Sequence, residues 1–414
     1  MSTNPRRRQI QTKPNRVVTR SILTRLVMVF AFFCVLGSTV TLAATKETAL
    51  FDFTLEYGNG GYFPVSTLVM DQAGNLYGIT YEQLGLWYWG ATVFKLSPGA
   101  SGWTATTTFT WDYNNVPDIS TALAVDQAGN LYGEDGGGLY ELIGATYQVY
   151  LVPGLGSGTI TLDQAGNIYG WSYNGAESFV FELSPGQNGW TENVLYEFPQ
   201  GGGSFTSTLV LGSSGEIYGN GYSGSAGLFK LSKVHGTWTL TTLYSYPYND
   251  AGPLSADAKG NLYTITGLDG GQNVEVMKFT KGHGVWNAKI LYTFQTPPSG
   301  LNWRSPLLAG KYGSVYGTTR AGGEGHCSDA DQEEGCGTVF KIGPVKGIWT
   351  ETILHEFNPK LDNKSNPHDG ASPYGGLIFD ASGKLVGTTA HGGDVFKGEK
   401  ACPNGCGTVF EIAP

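Results

Sequence analysis

An octet that returns through the chain does most to limit its fold. DQAGNLYG stands at 71–78 and again at 126–133, and DQAGNIYG follows at 163–170. Looser copies continue the series in LGSSGEIYG (211–219), DAKGNLYT (257–264), GKYGSVYG (310–317) and DASGKLVG (380–387). Aligned on the central glycine, the frames fall at Gly74, Gly129, Gly166, Gly215, Gly260, Gly313 and Gly383, with spacings between 37 and 70 residues. Self-similarity at such a period is the mark of a repeat architecture, and it has to be read before any single motif.

Each frame carries more than the octet. A second apolar run comes after it, as in TVFKLSP (92–98), FVFELSP (179–185), TVFKIG (338–343) and TVFEIA (408–413). A third usually opens on tryptophan, as in GWTENVLYEF (189–198), VWNAKILYTF (285–294) and IWTETILHEF (348–357). The second copy has only the degenerate TYQVYLV (146–152). With the segment before the octet, each copy holds four short apolar runs divided by turn residues. Four strands in roughly 50 residues form the blade of a β-propeller. The expected fold is therefore all-β, with seven four-stranded antiparallel blades. The octet is the turn between the first two strands: Asp71 bonds the backbone two residues on, and Gly74 takes a positive φ. In NLYGIT, Leu76 faces one way and Tyr77 and Ile79 the other, as a strand buried on both sides requires.

The seventh copy has no fourth run after Phe410. KETALFDF (46–53) resembles TETILHEF (350–357), so the N-terminal strand is expected to complete the last blade. That arrangement leaves no open sheet edge.

The first 44 residues differ from the rest. They hold Arg6, Arg7, Arg8, Lys13, Arg16, Arg20 and Arg25 and no acid, then the apolar LVMVFAFFCVL (26–36) and the small-residue TLAA (41–44). That order matches a signal peptide, with cleavage after Ala43 or Ala44; a retained N-terminal anchor is the alternative. The apolar run is shorter than the roughly 20 residues of a membrane span. The expected domains are thus residues 1–44 as the export segment and 45–414 as one propeller. The expected product is a monomer, secreted to the periplasm or the cell exterior, with no membrane span in its mature form. Of 25 Lys and Arg, seven lie in that segment, and 18 remain against 34 acids. So acidic a chain does not suit nucleic acid, whose binding depends on cationic side chains.

GTVFKI (337–342), IWTETILHEF and GCGTVFEI (405–412) resemble the GloVer (Gloeobacter/Verrucomicrobia) tandem repeat of exported bacterial proteins, and the likeness covers nearly the whole mature chain. The GNLY hairpins also look like those of NHL and streptogramin-lyase propellers. The first resemblance implies an exported, surface-directed protein. Neither brings a catalytic motif to these residues, and a shared fold does not give function.

Propeller topology puts the short 1–2 and 3–4 turns on one face. The longer 2–3 and blade-to-blade connections fall on the other, where sites usually lie. Cys327, Cys336, Cys402 and Cys406 all fall in 2–3 connections of the last two copies. An even count in an exported chain argues for disulfides. Three pairings are possible; 327–336 with 402–406 is favoured because each pair brackets one loop before a GTVF strand. A zinc site is disfavoured by the spacing, and DADQEE (329–334) lacks an EF-hand pattern. No metal or other cofactor is expected.

Aromatic loops are the main binding candidates: Trp87, Tyr88 and Trp89 in LGLWYWGA, with Trp111, Tyr113 and Trp303 in blade-to-blade connections. Flat rings suit sugars or a protein partner, while packing between blades is the competing role. No residue is assigned to catalysis. Among the histidines, His326 and His391 have Asp329 and Asp394 nearby in sequence. A glycosidase would need two carboxylates about 5–10 Å apart, and Asp112, Glu134, Asp135, Asp250, Asp269 and Asp369 are candidates. The expected function is a non-catalytic exported scaffold for a carbohydrate or an extracellular protein. A polysaccharide lyase or glycosidase is the first alternative and a purely structural surface protein the second.

Overall fold

The computed structural model describes residues 47–54, 61–84, 88–111, 123–134, 138–144, 146–150, 160–173, 178–187, 189–198, 208–222, 226–246, 251–267, 274–282, 284–294, 306–325, 327, 335–359, 369–393, 402 and 404–414. Among the described residues, seven four-stranded antiparallel sheets each form one blade of a β-propeller, and a two-stranded sheet pairs Gly370–Ala371 with His391–Gly392. Blades 1 to 6 lie within 69–110, 123–150, 161–197, 210–245, 255–293 and 308–356. The helical turn Lys311–Gly313 is the one helix among the described residues.

Blade 7 is made from both ends of the chain. Its strands Ile378–Phe379, Leu385–Thr389 and Thr408–Ile412 are completed by Thr48–Asp52. That last strand runs antiparallel to Thr408–Ile412, with Thr48 opposite Glu411 and Asp52 opposite Thr408. The ring thus closes as KETALFDF implied.

The octet forms the expected turn. Asp71 accepts from the amides of Ala73 and Asn75 at 3.0 and 2.8 Å, and from the Asn75 side chain and the Tyr77 hydroxyl at 2.7 and 3.0 Å. Gly74 sits at φ +81°. The same four bonds recur at Asp126, Asp163 and Asp257. Above the turn the tyrosine ring faces Lys95 in blade 1, Lys278 in blade 5 and Lys341 in blade 6. In blades 2 and 3 Glu141 or Glu182 stands in the place of the lysine, and the one hydroxyl proton of the tyrosine is shared between that glutamate and the turn aspartate. The hydrogen bonds of these Asp turns stay within their own turn or blade.

The core lies in the seams between blades. Leu76 joins Phe53, Leu68, Phe94 and Val409 between blades 7 and 1. Tyr77 and Ile79 join Leu131 and Tyr140 between blades 1 and 2. One strand therefore buries both faces, and this is why NLYGIT lacks polar alternation. The recurring YG dipeptide has a packing reason as well. A Cβ at Gly170 would lie 2.5 Å from Phe181 Cζ of the neighbouring strand, so only glycine admits the ring there.

Candidate functional site

The fourth strand of a blade repeats an aromatic or imidazole residue two places before an aromatic anchor: Tyr196 before Phe198, Tyr244 before Tyr246, Tyr292 before Phe294 and His355 before Phe357. A glutamate on the next blade can meet this position. Across the seam between blades 5 and 6, Tyr292 donates its hydroxyl to Glu351 at 3.2 Å. Burial pushes the Glu351 carboxyl up, and the Tyr292 hydrogen bond draws it partly back.

One blade later the same registers carry different chemistry. His355 stands where Tyr292 stood, and Glu47 of the N-terminal segment holds the register of Glu351. Asp369, on the connection from blade 6 to blade 7, completes the group. One ligand atom from each of Glu47, His355 and Asp369 lies within 4.8 Å of the others. His355 Nε2 is 2.9 Å from Asp369 Oδ1. The Asn358 amide donates to Asp369 Oδ2 at 2.8 Å, and Phe357 stands edge-on to the imidazole at 4.8 Å. Glu47 is 2 % and Asp369 5 % exposed.

Two carboxylates and one imidazole at such range can act in two ways. Ionised carboxylates this close repel by on the order of 3–4 kcal/mol at an effective dielectric near 20, so an intervening positive charge stabilises them. A His held by a carboxylate is also a possible general base. The set of one nitrogen and two oxygens further suits a divalent cation.

The cysteine connections flank this seam. Cys327 bonds Cys336, and Cys402 bonds Cys406, each closing its own loop. Both loops are tied to neighbouring chain by backbone bonds. The Ser372 amide donates to Cys336 O and the Phe63 amide to Cys406 O. Likewise the Phe357 amide donates to Gly337 O and the Phe53 amide to Gly407 O. The seam between the last and first blades is thus built like the one before it.

Of the aromatic candidates, only Trp111 has a described side chain. Trp87, Tyr113 and Trp303 lie outside them. Tyr88 and Trp89 lie in the strand Tyr88–Gly99, with only their backbone described. Trp111 lies inside the seam of blades 1 and 2, 4 % exposed. Its indole donates to the Tyr147 hydroxyl at 3.2 Å, and it meets Tyr140 edge-on. It takes the anchor position that Phe357 takes in blade 6, which is why it is buried. Of the carboxylates, Glu134 is buried in blade 2, and only Asp369 joins the cluster. Asp112, Asp135, Asp250, Asp269, His326, Asp394 and the 329–334 acids lie outside the described residues, while His391 is edge-on to Phe63. Glu47 carried no functional expectation, and His355 was one histidine among six. The signal that singles them out is the alignment of KETALFDF on TETILHEF, together with a histidine where LYEF and LYTF have tyrosine.

No protein-family model matches this chain, and no curated protein does. Solved structures similar to it include a gluconolactonase of Xanthomonas campestris, with 14 % identity and TM-score 0.40, covering 66 % of this chain and 86 % of that one. A Bacteroides fragilis protein assigned as a 6-phosphogluconolactonase has 12 % identity and TM-score 0.46, covering 81 % and 98 %. The PQQ-bound aldose sugar dehydrogenase of Streptomyces coelicolor has 12 % identity and TM-score 0.44, covering 89 % and 98 %. Likeness at this level carries no argument about chemistry.

Proposed function

We propose that this chain is an exported, non-catalytic propeller whose long-loop face binds a carbohydrate or an extracellular protein. One observation carries the reading: both disulfides lie in 2–3 connections, on the face opposite the repeated Asp turns. Bonds placed there hold irregular loops in shape on a rigid scaffold, as a binding surface needs. They also suit an oxidising compartment, in keeping with the basic, apolar and small-residue order of residues 1–44. The GloVer likeness of the GTVF and WTET runs agrees with export. No helix among the described residues is long and apolar enough to cross a membrane.

Trp87 and Trp89 are the aromatic contacts we assign to the ligand; Trp111 is left out, being committed to packing. The test is a glycan array with the mature protein beside Trp87→Ala and Trp89→Ala. Binding that is lost in both variants is expected for a sugar ligand. A blank array removes the carbohydrate version and leaves a protein ligand to be sought by cross-linking on the cell surface.

The His355–Asp369 pair favours a second reading, a polysaccharide lyase or glycosidase. Release of new reducing ends from a polysaccharide panel, abolished by His355→Ala, would put this reading first.

A further inference from the structure

We propose that Glu47, His355 and Asp369 form a divalent-metal site, for which zinc is the best fit, and that the metal staples the ring shut where the two ends of the chain meet. The inference stands on this geometry and does not depend on the binding role proposed above.

The comparison with the preceding seam carries it. Between blades 5 and 6, one carboxylate meets one neutral hydroxyl, Tyr292 to Glu351. Between blades 6 and 7 the hydroxyl is replaced by an imidazole, and Asp369 adds a second carboxylate to the same spot. Both carboxylates are almost wholly buried. A protonated imidazole offsets one negative charge; a dication held by a neutral imidazole offsets both.

The donor set selects the ion. Imidazole with two carboxylates is a three-ligand site of the zinc type, leaving room for one water. Calcium prefers six or more oxygens and gains little from a nitrogen. Zinc ligands at about 2.0–2.2 Å from the ion stand roughly 3.3 Å apart in a tetrahedron. His355 Nε2 and Asp369 Oδ1 are 2.9 Å apart, so that pair needs to part by a few tenths of an ångström. Asp369 Oδ2 stays engaged by the Asn358 amide, which leaves Oδ1 for the metal. Such outer hydrogen bonds orient a ligand and tune it.

Glu47 immediately precedes the N-terminal strand, and the other two ligands come from blade 6 and its exit, so a shared ion crosses the seam. It would oppose detachment of the strand Thr48–Asp52, which is not continuous in sequence with the rest of its blade.

The experiment uses the full chain with residues 1–44 processed as in the cell. Protein stripped with EDTA is titrated with Zn²⁺ and with Ca²⁺, reading bound metal by mass spectrometry and Tm by calorimetry. We expect one zinc per chain, a zinc-dependent rise in Tm, and no comparable rise with calcium. The decisive variant is His355→Tyr, which restores the residue found at this register in blades 3, 4 and 5 and so keeps the packing. It should fold, match the wild type in EDTA, and lose zinc affinity by more than the roughly 10–100-fold that removal of an outer hydrogen-bond partner costs. Glu47→Gln is the second variant, read in the same way should His355→Tyr not fold. Wild-type protein that takes up no zinc overturns the proposal. So does zinc binding that is equally tight in the variant, since the ion would then sit elsewhere. A zinc-dependent Tm rise present in wild type and absent in the variant supports it.

Discussion

Tyr292 and Glu351 join blades 5 and 6 through one hydrogen bond of 3.2 Å, and the same two registers one blade later hold His355 and Glu47. The repeat thus conserves a place of contact while its chemistry changes, from a neutral donor and an acid to an imidazole between acids. The change falls at the seam of the two blades whose loops carry the disulfides.

Burial raises the Glu351 carboxyl above its usual range despite the Tyr292 bond. A group raised in the folded state adds stability below its unfolded value and loses that contribution as pH rises through the folded value. Glu351→Gln does not titrate, and its amide oxygen can still accept from Tyr292. It should therefore match wild type near pH 4 and exceed it in Tm at pH 7. Calorimetry at the two pH values checks this, and a variant less stable at pH 7 would contradict it.

The Asp257 turn behaves in the opposite sense. Burial pushes the Asp257 carboxyl up, but bonds from Asn261, Tyr263 and the Lys259 amide together hold it below its usual range. Its contribution is present above the unfolded value and is lost as pH falls through the lowered one. Asp257→Ala should cost about 2 kcal/mol at pH 7, as expected for several hydrogen bonds to a charged acceptor. The gap should narrow on acidification below about pH 4. Urea unfolding at pH 7 and pH 3 reads both numbers.

The propeller was legible in the sequence because its evidence is redundant. Seven copies of one turn and one strand pattern tolerate loss of detail, so even TYQVYLV could be placed, and it forms the strand Thr146–Tyr150. Ring closure was legible because KETALFDF repeats a pattern found elsewhere in the chain. The cluster was not. Asp369 stood among six candidate carboxylates, and nothing local separates it from Asp250 or Asp269. Its partners become visible only when the register of one blade is laid on the next, since the contact crosses between strands far apart in sequence. Trp111 shows the converse. Its WDY context reads like a binding loop, but its repeat register is that of a core anchor.

The glycine of the YG dipeptide should be intolerant of any side chain. At Gly170 an added Cβ would be 2.5 Å from Phe181 Cζ, well inside the roughly 3.5–4 Å of a carbon contact. Phe181 is fully buried, in an interior packed closely enough that a ring cannot shift aside freely. Gly170→Ala should cost about 2–3 kcal/mol, the upper range for overpacking a core. Serine at Gly170 should be no better. Denaturant midpoints of the purified variants test this.

Reduction should loosen the long-loop face before it unfolds the ring. The loops closed by Cys327–Cys336 and Cys402–Cys406 are short, with sequence separations of 9 and 4. Chain-entropy arguments give each bond about 2–2.5 kcal/mol. Removing either pair as a double serine variant should lower stability by about that amount. Cys336 and Cys406 are buried in the seams, so reduction should be slow without denaturant. Thiol labelling against time, with and without urea, measures the rate.

Phe53 should be the most sensitive position for ring closure. It is fully buried, and its ring meets Phe94 of blade 1 at 5.0 Å. Phe198 meets Phe229 at 5.8 Å, Phe294 meets Phe340 at 5.9 Å and Phe357 meets Phe410 at 5.1 Å at internal seams. Truncating such an anchor costs about 3–5 kcal/mol through lost burial and the cavity left behind. Phe53→Ala and Phe198→Ala should therefore destabilise the protein alike at equilibrium. They should differ in how they fail. The strand of Phe198 is held in its blade by chain on both sides. That of Phe53 is held by pairing with Thr408–Ile412 and by its own anchors. Under native conditions Phe53→Ala should open locally and let a protease cut within 45–60, while Phe198→Ala should be cut only on global unfolding. Limited proteolysis with mass mapping distinguishes the two, and equal resistance near the N-terminal strand would show that the seam closes without Phe53.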